Sequence, residues 1–204
     1  MSAENRLYFE KILLRGLKIV ASKFDGVVAS KNKLKFKHDK KYVGELFFDH
    51  LARVDSYVLG GIVNGGEIFE CISNFAPPYN SNLFSDACFS FVSSGEQNKR
   101  FSGDFSGAIK TPTPDFADEV CAHVRLVLED FYVPKVLACI VPAERTVGDV
   151  LSAPDEYSYP AVFIHCAAQI YGVAGSSAKI KEAMSSKRIV KNKEYDTSLL
   201  AGLL

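Results

Sequence analysis

Apolar residues recur at three- and four-residue steps over residues 4–24, at Phe9, Ile12, Leu13, Leu17, Val20, Ala21 and Phe24, which predicts an amphipathic helix ended by Asp25-Gly26. From Val27 the period drops to two. KLKFK at 33–37 alternates lysines with Leu34 and Phe36, and VGELFFDHL at 43–51 is rich in bulky β-formers. VDSYVLGGIVNGGEIFECIS at 54–73 reads as two strands meeting at Asn64-Gly65-Gly66, residues that supply the positive φ angles of a tight hairpin. CFSFV at 88–92 is a further strand, and the Ser-, Gly-, Lys- and Pro-rich stretch 93–114 is a long loop or a mobile edge.

Asp115 caps a second amphipathic helix, with Phe116, Val120, Val124, Val127, Leu128 and Phe131 on one side. KVLACIV after Val133-Pro134 is short, apolar and ambiguous in state. Beyond it lie a helical piece near ERTVGDVLS, a helix over residues 159–171, a GVAG turn and a helix from Ser176 to about Lys187, the last two forming an αα-hairpin. The pattern predicts an α+β fold: an antiparallel sheet of four or five strands packed by an N-terminal and a central helix, with a C-terminal helical hairpin. We divide it into a core domain, 1–142, and a helical extension, 143–204.

Charge narrows the partners. Lys plus Arg and Asp plus Glu both number 24, so bulk charge directs the chain toward neither nucleic acid nor acidic ligands. The charged N-terminal stretch reads as no secretory signal, and no apolar run approaches the roughly 20 residues of a membrane span. The five cysteines, Cys71, Cys88, Cys121, Cys139 and Cys166, are odd in number and set among apolar neighbours, which suits reduced, buried thiols in a cytoplasmic protein.

Several combinations invite chemistry. Cys121-Ala-His123 looks like a metal pair, but residues two apart on a helix point about 200° apart; with no CxxC or HxxxH spacing, no metal site is expected. His123 reads as a satisfied, partly buried histidine. His165-Cys166 diverge by about 100° on a helix, and their apolar surroundings argue for core packing over a thiolate. The glycines of LGGIVNGG form no phosphate-binding signature, and no GxSxG occurs. No cofactor is called for.

KNKLKFKHDKK at 31–41 carries six lysines. In a strand, Lys31, Lys33, Lys35 and Lys37 line one face, a ridge that can meet an acidic partner or protect a sheet edge. Nucleic acid is the less favoured partner, because the aromatic Phe36 points inward. Near His50, the carboxylates Asp49, Asp55, Glu67 and Glu70 form an acid/base set, with Asp49 and His50 on opposite strand faces.

In element order the chain resembles the bacterial family known as domain of unknown function 4304. The residues that carry the likeness are the opening helix FEKILLRGLKIVASKFDG, the strand KLKFK leading into ELFF, the hairpin after it, and the helix ending HVRLVLEDFYVPKV, over residues 5–137. The C-terminal hairpin resembles an extension of longer proteins of that kind. The resemblance implies a small α+β protein, some such proteins resembling immunity partners of bacterial toxins, and it transfers no functional residue.

The reading that results is a non-catalytic cytoplasmic protein that binds another protein, with Lys33, Lys35, Lys37, Lys99, Arg100 and Asp104 as candidate contacts. A second reading is an enzyme using His50 with Asp55 or Glu70, or a thiol such as Cys166 with His165. A third is nucleic-acid binding through the 31–41 ridge.

Overall fold

The expected apolar stripe forms α1 (Ala3–Ala21) in the computed structural model, which describes residues 3–96, 99–101, 107–172 and 177–204. Phe9, Ile12, Leu13, Leu17 and Val20 are buried along it. The fold is α+β, with a sheet in the order β1 (Val27–Ser30), β2 (Lys33–His38), β3 (Lys41–Leu51), β4 (Ser56–Val63), β5 (Phe89–Val92), and a short β6 (Ala108–Lys110) antiparallel to the start of β4. α2 (Glu67–Ile72) lies between β4 and β5. The helices that follow the sheet are α3 (Pro114–Val127), α4 (Val133–Ile140), α5 (Thr146–Ser152), α6 (Pro160–Tyr171), α7 (Ser177–Ser185) and α8 (Lys193–Ala201).

The chain groups into two compact units, 1–61 with 91–134 and 62–90 with 135–204. The sequence suggests a single cut after 142, whereas the units are interleaved. In the first, the inward side chains of the sheet, Leu34, Phe36, Leu46, Phe48 and Tyr57, are buried; α1 packs on β1 and β2, with the Phe9 ring centroid 5.2 Å from that of Tyr57, and on α3 where Gly16 leaves room for the Arg125 stem. Phe91, Tyr132 and Phe101 stack at centroid distances of 5.1 and 5.7 Å. In the second, α6 is buried from Pro160 to Ala168 and packs on α2, α5 and α8, with Tyr157 wedged between Phe89 and Phe163.

Three expectations are corrected, and one helix is new. Asp115 does not cap α3: Thr113 is the N-cap residue and Pro114 opens the helix, and Phe116, expected on the inner side, is 59% exposed while Ala117, Cys121 and Val124 are buried. The Asn64-Gly65-Gly66 signal leads not into a second strand but into α2, placing Glu67 and Glu70 in its first turn. Gly66 has φ +96°, and a Cβ there would stand 2.7 Å from Ile140 Cγ2, so the glycine serves a close approach to that side chain. The central helix does not stop at Pro134. A wider π turn over Leu128–Tyr132 carries the chain into α4, where the proline nitrogen has no hydrogen to give the preceding turn. α8, missed in the sequence behind the basic residues 187–193, is a regular helix with Asn192 at its N-cap, the side chain accepting from Tyr195 N at 3.0 Å.

Candidate functional site

The open face of β2 and β3 is built by strand alternation. Leu34 and Phe36 point into the core, so Lys33, Lys35 and Lys37 point out. Lys31 does not join them, because it sits in the β1–β2 turn with φ +53°. β2 is also not the sheet edge: it pairs with β1 on one side and β3 on the other, so the lysines do not serve to guard an edge.

The register decides what stands beside them. Lys33 lies opposite Phe47, and Lys35 opposite Glu45. A bulge between Phe36 and Lys37, where Lys37 N donates to Gly26 O at 2.8 Å, shifts the ladder and brings Lys37 opposite Tyr42. The Lys35 and Lys37 ammoniums stand 5.3 and 5.0 Å from the Tyr42 ring centroid, and Lys33 stands 5.4 Å from that of Phe47 and 2.8 Å from Glu45 Oε1. Tyr42 is 56% exposed. Phe47 lies over Gly60, where a Cβ would come within 2.5 Å of the ring. The inward Phe36 is thus not the relevant aromatic; β3 supplies two outward ones. On this face Lys33, Lys35 and Lys37 outnumber Glu45 and Asp49, a small basic excess on a chain of zero net charge.

The other candidate contact residues behave differently. Lys99 donates to Ser94 O at 2.6 Å, and the Arg100 guanidinium lies 3.1 Å from the Phe131 centroid, a structural stack. Asp104 lies outside the described residues.

His50 and Asp55 do meet. Asp55 sits in the β3–β4 turn at φ +46°, and its Oδ1 is 3.0 Å from His50 Nε2 and accepts from Thr111 Oγ1 at 2.9 Å; the β4–β6 pairing brings Thr111 there. The His50 hydrogen bond, joined by that of Thr111, holds the Asp55 carboxyl below its ordinary range. An ionised Asp55 accepts from Nε2, which leaves Nδ1 as the acceptor of the neutral ring. His50, Glu10, Lys11, Asn32 and Tyr57 line a cavity of about 530 Å³. Tyr57 donates to Glu10 Oε1 at 2.8 Å, and burial raises its phenol pKa. No Ser, Thr or Cys lines this cavity among the described residues, so it holds a positioned proton acceptor but no such nucleophile. Glu70 stands on a helix rather than on the hairpin strand that this reading requires.

His165 is buried, its Nδ1 3.1 Å from Leu199 O and its ring edge-on to Phe75. It also borders an open groove with Glu194, Tyr195 and Pro78, so it is not wholly a core residue. Cys166 is not a reduced thiol: it is bonded to Cys71, so in this state it offers no nucleophile to pair with His165. Cys88, Cys121 and Cys139 are buried free thiols, and burial pushes the first two up to about 12 and the third well above its usual value. His123 is exposed rather than partly buried, its Nε2 3.2 Å from Arg100 O. Among the described residues no three of His, Cys, Asp and Glu converge as metal ligands, and no helix is long and apolar enough to cross a membrane.

Compared with protein-family profiles, curated proteins and solved structures, the chain matches none.

Proposed function

We propose that the chain is a non-catalytic binding protein that takes an acidic protein partner on the Lys33, Lys35 and Lys37 face of its sheet. The observation that carries this reading is the clustering of those lysines with exposed Tyr42 on one open face. Lysine-rich surfaces of this kind attract acidic surfaces through long-range charge, and tyrosine supplies rigid contact area at small entropic cost. Glu45 and Asp49 share the face, which suits the mixed charges of a protein better than a row of phosphates. An immunity-type role, in which the partner is a toxin covered by this face, is the form we propose for it. The cytoplasm is the setting of this reading.

Single-stranded nucleic acid is the second reading, on the strength of the two outward rings among lysines. Fluorescence anisotropy with a labelled glutamate-rich peptide and a labelled single-stranded oligonucleotide separates the two. Salt-sensitive peptide binding, lost at least about tenfold in K33E/K35E/K37E, supports the proposal. Tighter binding of the oligonucleotide, lost in the same variant, turns it to nucleic acid. Binding of neither probe overturns both.

A further inference from the structure

The five cysteines divide sharply by access. Cys88, Cys121 and Cys139 are buried, with thiols raised so far that hardly any thiolate exists at neutral pH. Cys71 is half-buried on α2, and Cys166 is fully buried on α6, with Cα atoms 5.9 Å apart across 95 residues of sequence. That spacing is within the usual range for a disulfide. Only this pair, among the described residues, joins a cysteine that is not fully buried to a partner within bonding reach.

We propose that Cys71–Cys166 is a reversible redox clip, set by exchange with small disulfides of the glutathione class, in which Cys71 is the sulfur that meets the reagent. In closing, the Cys71 thiolate attacks one sulfur of the small disulfide, forming a mixed disulfide and releasing one small thiolate. The Cys166 thiolate then attacks the Cys71 sulfur, forms the internal bond and expels the second. The protein loses two electrons and two thiol protons, and one small disulfide becomes two small thiols. Opening is the reverse, beginning with attack of a small thiolate at Cys71.

What the clip holds is a helix too short to stand alone. α2 has six residues, well below the roughly 12 at which isolated helices become marginal. It is pinned by buried Ile68 and Ile72, by the Gly66 approach to Ile140, and by this bond. Directly after it, the irregular segment 73–87 carries fully exposed Phe84 and, with Phe69, Ile72, Phe75 and Leu83, borders a groove of about 510 Å³. Phe75 rests on His165, the neighbour of Cys166. Opening the bond therefore loosens the helix that forms one wall of this groove of mixed lining.

The test uses the full chain equilibrated in reduced and oxidised glutathione at varied ratios, quenched with a maleimide and read by intact and peptide mass. Expected is a midpoint within the range of ratios, with a linked Cys71–Cys166 peptide on the oxidised side and maleimide on both on the reduced side. Hydrogen exchange in 67–87 should rise on opening, and the melting temperature should fall by about 10 °C, as for removal of a long-loop disulfide. In Cys166→Ser, glutathione should be found on Cys71; in Cys71→Ser, Cys166 should take none. Alkylation of Cys71 at every ratio overturns the proposal, as does a bond that survives a large excess of reduced glutathione until the chain unfolds. Adducts on Cys88, Cys121 or Cys139 in the folded protein also overturn it.

Discussion

The Tyr79 hydroxyl donates to Asp196 Oδ1 at 2.7 Å, joining the loop after α2 to α8 across 117 residues of sequence. Asp196 is completely buried, and its other oxygen accepts from Lys191 N and Asn192 N, each at 2.8 Å. A carboxylate with three donors is well satisfied, and its loss strands all three. Tyr79→Phe should cost about 1 kcal/mol and Asp196→Ala about 3 kcal/mol in chemical denaturation. Equal costs would show that the phenol is the only partner that matters.

Lys135 is 3% exposed, with Nζ 2.6 Å from Glu156 Oε2 and 5.5 Å from the Phe89 ring centroid. Removing one charge leaves the other buried, which costs more than the pair contributes. Lys135→Met should destabilise by about 3 kcal/mol, and adding Glu156→Leu should recover most of that. A double-mutant cycle on unfolding free energies checks both figures.

Burial holds the His165 pKa below its usual 6.5, against a smaller upward pull from the hydrogen bond to Leu199. Between that lowered value and 6.5 the unfolded chain takes up a proton that the folded chain refuses. The stability contributed by neutral His165 is therefore complete above pH 6.5 and declines as pH falls below it. Urea titrations from about pH 7.5 to about 5 should show this decline in the wild type and a flatter profile in His165→Asn.

Gly66 and Gly148 make opposite predictions for the same substitution. Gly66→Ala meets Ile140 and a backbone conformation that side chains rarely adopt, and should cost about 3 kcal/mol. Gly148 lies within α5, and its nearest prospective neighbour is the flexible end of Lys179 at 3.5 Å. Gly148→Ala should stabilise by about 0.5–1 kcal/mol, through helix propensity. Thermal melts of the two variants compare them directly.

The amphipathic stripe of α1 was legible because Phe9, Leu13 and Leu17 recur at helical spacing on its buried face; on α3 the larger apolar residues misled, since Phe116 is 59% exposed and the small Ala117 and Cys121 share the buried face with Val124. Gly66 misled because an Asn-Gly-Gly run signals a hairpin locally, while what required the glycine was Ile140, far away in sequence. The lysines were legible but not their rings: Phe47 and Tyr42 come beside them only through the β2–β3 register and its bulge, which periodicity does not give. His50 and Asp55 were legible as a set, yet Thr111, which fixes Asp55, arrives through β6 from within an apparent loop. The Cys71–Cys166 bond has no sequence signature, since it needs α2 laid on α6.

The interleaving of the two units has a practical corollary for dissecting the molecule. A fragment ending at Pro134 keeps Cys71 and α2 but lacks α6, so the thiol has no mate and the helix no bed. A fragment starting at Lys135 keeps α6 but not Phe89, against which Tyr157 packs. Isolating either unit therefore means splicing distant stretches of chain together rather than trimming an end.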